Sequence, residues 1–349
     1  MRSTYKNEDV TILLKDITGI VNPIATEERE KLIQSGTHYS EMLPVEYKPT
    51  EKYMEVYRNA LNIFSEDTAN AVAVVSQKIL NKKGEKVVLV SLARAGTSIG
   101  VLIKRYFKDI WNIEIPHYTI SIIRGRGIDK NAIDYLLKRY PAELIQFVDG
   151  WIGKGAILNV LKEAVAPYGG VSPELAVLAD PANMTELCGT HEDILIPSSC
   201  LNCTVSGLIS RTFLRNDIIK GSDFHGAVYY GELLKEDLTY DFIECVEKNF
   251  KDNIEFNDTK KCRSGYSEVE EIAANFKIND VNLIKPGIGE TTRVLLRRVP
   301  WKILINEKYA DDISLKHIFQ LAEEKNVEVV LYPLENYRAC GIIKEYGDI

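Results

Sequence analysis

The chain has no apolar run long enough to cross a bilayer, and its opening stretch, MRSTYKNEDVTILLKDITG, lacks the apolar segment of a secretion signal. A membrane-spanning or exported class is therefore not expected; a cytoplasmic protein is. Tandem repeats and low-complexity tracts are also missing, which argues against solenoid and disordered architectures. There is no cationic surplus either: 43 Lys and Arg stand against 50 Asp and Glu, for a net charge of −7. Such a chain does not bind nucleic acid indiscriminately, so any contact with RNA or DNA has to come from a local patch. Six cysteines without an export signal point to reduced thiols rather than a disulfide framework. What is present is 349 residues, 45% hydrophobic and 27% charged, enough for two domains with cores of their own.

The pattern along the chain is that of an α/β protein. The first 50 residues read as strands and loops over one edge of the main domain, forming a hood above a site. Glu51 to Asn81 carries apolar residues at helical spacing, and Lys86 to Ala93 (KVVLVSLA) is a strand running into Arg94-Ala95-Gly96-Thr97. A helix over Ser98–Phe107 follows, then a strand over His117–Ile123, then Arg124-Gly125-Arg126-Gly127, then a helix from Asp129 to Tyr140. In LIQFVDGWIGKGAIL, Leu144 to Leu158, an apolar strand ends in Asp149, turns through Gly150, Gly153 and Gly155, and enters a helix over Ala156–Ala164. A further strand, Glu174 to Leu178, ends at Asp180. This alternation predicts a mostly parallel sheet with helices on both faces and three corners (Arg94–Thr97, Asp149–Ala156 and Asp180) along one edge, where open sheets bind ligands.

Those corners carry the first set of candidate residues. Glycine backbone and a helix N-terminus at Gly150, Gly153, Lys154, Gly155, Ala156 and Ile157 suit a phosphate, and Asp149 suits sugar hydroxyls. Arg94 with the Ala95, Gly96 and Thr97 backbone suits a second anion, and Arg124 and Arg126 sit on a loop able to close over it. Ordinary strand–turn–helix corners with solvated charges account for the same residues. The segment Leu187 to Thr212 admits three chemistries. Cys188, His191, Cys200 and Cys203 have ligand types and spacings of a zinc site. Cys200 is a candidate nucleophile with His191 or His225 as base and Asn202 nearby. Alternatively Asp180, Ser198, Ser199 and Asn202 form the acceptor side of the sheet edge, with a helix starting over Val205–Thr212 that presents Arg211 to an anion.

SLARAGTSIG, HYTISIIRGRGID and FVDGWIGKGA, in that order, resemble the type I phosphoribosyltransferases. HYSEMLPVEY, LIPSSCLNCTVSGLISRT and FHGAVYY extend the likeness, over most of residues 1–250, to the StiP-type family of tellurite-resistance and stress gene clusters. That family joins a phosphoribosyltransferase-like domain to a C-terminal Pelota-type domain and carries a cysteine-protease description. The resemblance implies a phosphoribosyltransferase using phosphoribosyl pyrophosphate and Mg²⁺ on a base-like acceptor, with Asp149 and Arg94 catalytic. A single acid, Asp149-Gly150, stands where phosphoribosyltransferases carry two. A polar linker over 251–265 leads into a smaller α/β/α sandwich, 266–349, with a helix over Ser267–Phe276, a helix ending at Arg298, strands at Trp301–Ile305 and Val327–Leu331, a helix at Leu315–Lys325 and a last short helix around Tyr337–Ile342. Gly287, Gly289, Glu290, Thr292 and Arg293 stand where the L7Ae and Pelota RNA-binding fold grips RNA, and Arg297 lies one turn beyond Arg293 for phosphate contact. The reading favours the transferase and keeps two others open, a cysteine hydrolase at Cys200 and a non-catalytic RNA-binding regulator; a homodimer is compatible with all three.

Overall fold

The structure, a computed structural model, describes residues 1–252 and 263–345. Most of the 251–265 linker therefore lies outside the described residues. The N-terminal half is built on a six-stranded sheet. Its strands are β1 (Thr11–Ile12), β3 (Val88–Leu92), β4 (His117–Ile120), β7 (Ile145–Val148), β8 (Leu175–Ala179) and β9 (Cys188–Thr190), in the spatial order β1-β4-β3-β7-β8-β9. All five pairings are parallel. β3 (VLVSL) is central and buried along its whole length, apolar except for Ser91, whose hydroxyl is satisfied by His117 Nε2 at 2.8 Å. Two minor pairs complete this half: β2 (Lys15–Asp16) with β10 (Gly226–Ala227), and the hairpin β5 (Ile122–Ile123) with β6 (Gly127–Ile128).

The helices are α1 (Thr26–Gln34), α2 (Glu51–Lys83), α3 (Ala95–Trp111), α4 (Lys130–Leu137), α5 (Ala156–Val165) and α6 (Thr239–Glu247). The long α2 begins where the Thr50 hydroxyl accepts from Tyr53 N at 3.1 Å and ends at Gly84, whose φ of 72° suits glycine. Its inner face packs on α3, α6, β8 and β9. The chain leaves β3 toward β4 on one side, whereas β7 leads to β8 on the other. The ends of β3 and β7 thus flank the point where the winding reverses, and the crevice above them opens there. No helix among the described residues is long and apolar enough to cross a membrane.

The C-terminal half contains α7 (Gly265–Phe276), β11 (Ile284–Pro286), α8 (Ile288–Arg297), β12 (Pro300–Asn306), α9 (Lys316–Glu324), β13 (Glu328–Tyr332) and β14 (Ala339–Ile343). Its sheet runs β11-β14-β12-β13, with β14 antiparallel to both neighbours. The short helix expected at Tyr337–Ile342 is therefore a central strand. Ala339 to Ile343 is buried at every position, and Gly341 allows α8 to approach, since a Cβ there would lie 3.1 Å from Val294. The helix expected over Val205–Thr212 does not form; Cys203–Val205 makes one 3-10 turn, and Ser210 and Phe213 bond instead to Val228 and Gly226. The first 50 residues hold a helix, α1, that their pattern did not announce.

The two halves share one apolar core. Ile288, Leu295, Ile303 and Leu321 of the C-terminal half belong to the same cluster as Val72, Leu89 and Ile196. Gly289 sits against Trp151, where a Cβ would come within 2.5 Å of the indole. Asp193 ties the junction: its carboxylate accepts from Ile288 N at 3.0 Å and from Arg338 N at 2.8 Å, satisfying the first amide of α8.

Candidate functional site

Two constellations arise where the strands end. The first is a half-open chamber between the halves, with adjoining lobes of about 270 and 240 Å³. β7 delivers Asp149 to its floor, and the Gly150 N–H donates to that carboxylate at 2.8 Å. Burial pushes the Asp149 carboxyl up to about 6, against the opposing pull of Arg293 and the Gly150 amide. Gly153, Lys154, Gly155, Ala156 and Ile157 line one lobe, and Arg94 and Ala95 the other. Asp149 and Arg94 thus reach one crevice.

Several of these residues are already committed to the protein itself. Arg94 donates to Ile209 O at 3.0 Å and pairs with Glu46 at 3.4 Å, with Asn202 Oδ1 also 3.4 Å away. Gly96 lies in the first turn of α3 because a Cβ there would be 2.5 Å from Val148 O, and Thr97 is buried against the Thr119 hydroxyl. Lys154 donates to Val281 O and Ile284 O, and Gly153 O accepts from the Tyr337 hydroxyl at 2.6 Å. Gly155 has φ +83° and faces Met184. The glycine-rich turn therefore serves to seat the C-terminal half. Arg124 lines the chamber and bonds Asn282 at 2.9 Å, whereas Arg126 pairs with Glu41 and does not close the loop over Asp149. Ser198, Ser199 and Asn202 border a smaller recess beside Arg94.

The helix expected to grip RNA also faces inward. Gly287 borders Asp193, Gly289 meets Trp151, and the Thr292 hydroxyl bonds buried His317 at 2.7 Å. Glu290 and Arg293 pair at 2.6 Å inside the chamber, Arg293 lies 4.3 Å over the Trp151 ring, and Arg297 bonds Asn202. An amphipathic helix with a basic face looks the same in sequence whether that face meets solvent or a neighbouring domain. Arg29 and Lys285, which also line the chamber, went unrecognised because nothing in their own segments marks them.

The second constellation joins the edge strand β9 and its neighbour β8. β9 starts with Cys188 and is followed by His191, while β8 is followed by Asp180. The Cys188 sulfur lies 3.5 Å from His191 Nε2 and 3.8 Å from Nδ1. His191 Nδ1 is 3.0 Å from the Asp180 carbonyl oxygen and 3.7 Å from the Asp180 carboxylate. A carbonyl can only accept, so Nδ1 carries the proton and Nε2 presents its lone pair. Asp180 Oδ2 accepts from Met184 N at 2.6 Å and Thr185 N at 2.8 Å, yet burial pushes its carboxyl up to about 6. Asp180 thus orients a histidine rather than facing an acceptor in the chamber.

Cys200, the candidate nucleophile of the hydrolase alternative, stands apart from this pair. It is fully buried, burial pushes its thiol up to about 12, and its carbonyl accepts from Tyr53. The two histidines proposed as its base are engaged at other points, His191 with Cys188 and Asp180, His225 with Ser121 at 2.8 Å. The four zinc candidates do not converge: among the described residues no group of three or more His, Cys, Asp or Glu could hold a metal ion.

Residues 3–247 match the family described as "Tellurite-like stress resistance cysteine protease StiP", and residues 263–345 match the PELOTA RNA binding domain. A relative from Acinetobacter baylyi, "Cysteine protease StiP", is 34% identical over 365 residues, covering 99% of this chain and 94% of its own. The chain belongs to the StiP family. Crystal structures of a hypoxanthine-guanine phosphoribosyltransferase from Bacillus anthracis align with TM-scores of 0.26 and 0.24 at 16% and 13% identity, covering 35% and 41% of this chain and 71% and 75% of theirs, too loosely to bear on activity. The transferase expectation is overturned: both the family and its relative are described as cysteine proteases, and the Arg94 and Lys154 donors it relied on are bound within the fold.

Proposed function

We propose that this protein is a cysteine hydrolase of the protease type, with Cys188 as nucleophile, His191 as its base and Asp180 orienting the imidazole. The observation that carries the reading is the Cys188–His191 contact at 3.5 Å, on the nitrogen left unprotonated by the bond from Nδ1 to Asp180 O. A cysteine with an adjacent base, itself held by a third group, is the arrangement that nucleophilic catalysis needs. Membership of the StiP family supports the same reaction class.

In the proposed reaction His191 Nε2 takes the Cys188 thiol proton, and the sulfur attacks the scissile carbonyl carbon. The tetrahedral intermediate expels the amine, which leaves with the proton from His191, and a thioester remains on Cys188. His191 then takes a proton from water, the hydroxide attacks the thioester, and the sulfur departs to be reprotonated. An ionised Asp180 steadies the imidazolium formed in both halves.

Cys188, His191 and Asp180 are 0–1% exposed, so substrate entry requires a local opening. The adjacent loop is covered from the C-terminal half: Asn336 donates to Pro181 O at 2.9 Å, Gly265 N donates to Ala182 O at 3.2 Å, and Asn183 bonds Arg263 O. Release of that loop is the opening we propose for substrate entry. Hydrolysis of labelled casein by wild type, Cys188→Ala and Cys200→Ala tests the reading. Loss of turnover in Cys188→Ala alone is the expected result; loss in Cys200→Ala alone, or in neither, overturns it.

A further inference from the structure

The chamber between the halves carries far more positive charge than the protein neutralises. Nine cationic side chains line its lobes, against two carboxylates, Asp149 and Glu290. Some of the cations are matched: Arg298 by Glu30, Arg293 by Glu290 and Arg94 by Glu46. Others are not. Arg29 is 1% exposed; its Nη2 donates to Arg297 O at 2.8 Å, while Nε and Nη1 are buried with no partner among the described residues. Among the described residues, the Arg211 guanidinium makes no hydrogen bond or ion pair and only lies over the Tyr39 ring at 4.4 Å. The Lys285 ammonium likewise has no hydrogen-bond or ion-pair partner among them. Burial, reinforced by neighbouring cations, lowers the proton affinity of all three, to about 10 for Arg29, 9 for Arg211 and 7 for Lys285. Arg29 is buried and Arg211 and Lys285 are half-buried, and cations held unpaired away from bulk water oppose folding.

We propose that this chamber binds a small polyanion with at least two phosphoryl groups, held between the halves by Arg29 and Arg211 on one side and Lys285 on the other. Planar guanidinium forks fit phosphoryl oxygens two at a time, and three unmatched cations call for more charge than one carboxylate supplies. The lobes have room for an organic body beside the anion, and Tyr39, Trp151, Ile157 and Leu158 give it apolar wall. Because its ligands come from both halves, the anion would act as a clamp on their docking. The site does not rest on the thiol chemistry, since Cys188 and His191 do not line it.

Calorimetry on the full chain with inorganic pyrophosphate tests this. The expected result is one site per chain, weakened at least tenfold by Arg211→Met and by Lys285→Met but unchanged by Arg139→Met on the outer surface. Pyrophosphate should raise the melting temperature of wild type and of Cys188→Ala, but not of Arg211→Met. If Arg211→Met fails to fold by circular dichroism, Lys285→Met decides the matter. No binding of pyrophosphate or tripolyphosphate, or equal weakening by Arg139→Met, overturns the proposal. Tighter binding of a single-stranded oligoribonucleotide that displaces pyrophosphate reassigns the chamber to RNA and overturns it too.

Discussion

Replacing Asp193 with alanine should undock the C-terminal half. Asp193 is 4% exposed and its carboxylate accepts from Ile288 N at 3.0 Å and from Arg338 N at 2.8 Å. The alanine variant leaves two amides buried at a junction where water has little access, each costing roughly 1–3 kcal/mol. It also removes a negative charge from the N-terminus of α8, worth about 0.3–1 kcal/mol at an exposed site and more when buried. The sum is about 2–7 kcal/mol, or a drop in melting temperature on the order of 3–10 °C for a chain of this length. Urea unfolding followed by tryptophan fluorescence is a suitable assay, because Trp151 packs at the junction against Gly289. The expected record is an earlier, separate transition for Asp193→Ala, with Asp193→Asn intermediate because it retains one acceptor oxygen. A single transition within about 0.5 kcal/mol of wild type, the range of an ordinary surface substitution, would refute the view that this carboxylate holds the halves together.

Three further expectations follow from the same geometry. Gly100→Ala should destabilise by about 1–3 kcal/mol or more, because its Cβ would lie 2.1 Å from Ser91 Oγ and 2.2 Å from His117 Nε2 in the core; chemical denaturation measures it. Asp149 titrates near 6 in the fold against 3.8 as a free side chain, so its ionisation opposes folding as pH rises from about 4 to 6. Asp149→Asn should therefore match wild type at pH 4 and exceed it by up to about 3 kcal/mol at pH 7.5, and equal stabilities at both pH values would contradict this. Asp180 is pushed up to about 6 as well, so casein hydrolysis should climb as it ionises through that pH, and in Asp180→Asn this limb should flatten along with a lower maximal rate.

The parallel sheet was legible because its strands are short apolar runs, such as Val88–Leu92, each ending in a polar or small-residue corner. Two of the three corners converge, which is why Asp149 and Arg94 meet one chamber, whereas Asp180 lies apart against His191. What charge a residue faces after folding was not legible. Arg94 looks like an anion donor until Glu46, remote in sequence, is placed beside it. Gly153 and Gly155 suggest a phosphate loop, yet their missing side chains make room for Glu290 and Met184. The basic face of α8 reads as an RNA surface because the sequence does not record that the other half covers it. The pattern around Tyr337–Ile342 reads as a short helix because the strand that forms there, Ala339–Ile343, is fully buried and has no alternation to betray it. Cys188 and His191 were visible as a pair of potential ligands, but the catalytic relation proposed for them rests on Asp180, which a different strand supplies.

The nucleophile is tested most directly by trapping it. A peptide carrying a thiol-directed acyloxymethyl ketone, incubated with the full chain and mapped by mass spectrometry, should leave its adduct on Cys188. His191→Gln should suppress that labelling while leaving the protein folded. An adduct on Cys200 in its place, or labelling of Cys188 that His191→Gln does not slow, would contradict the account.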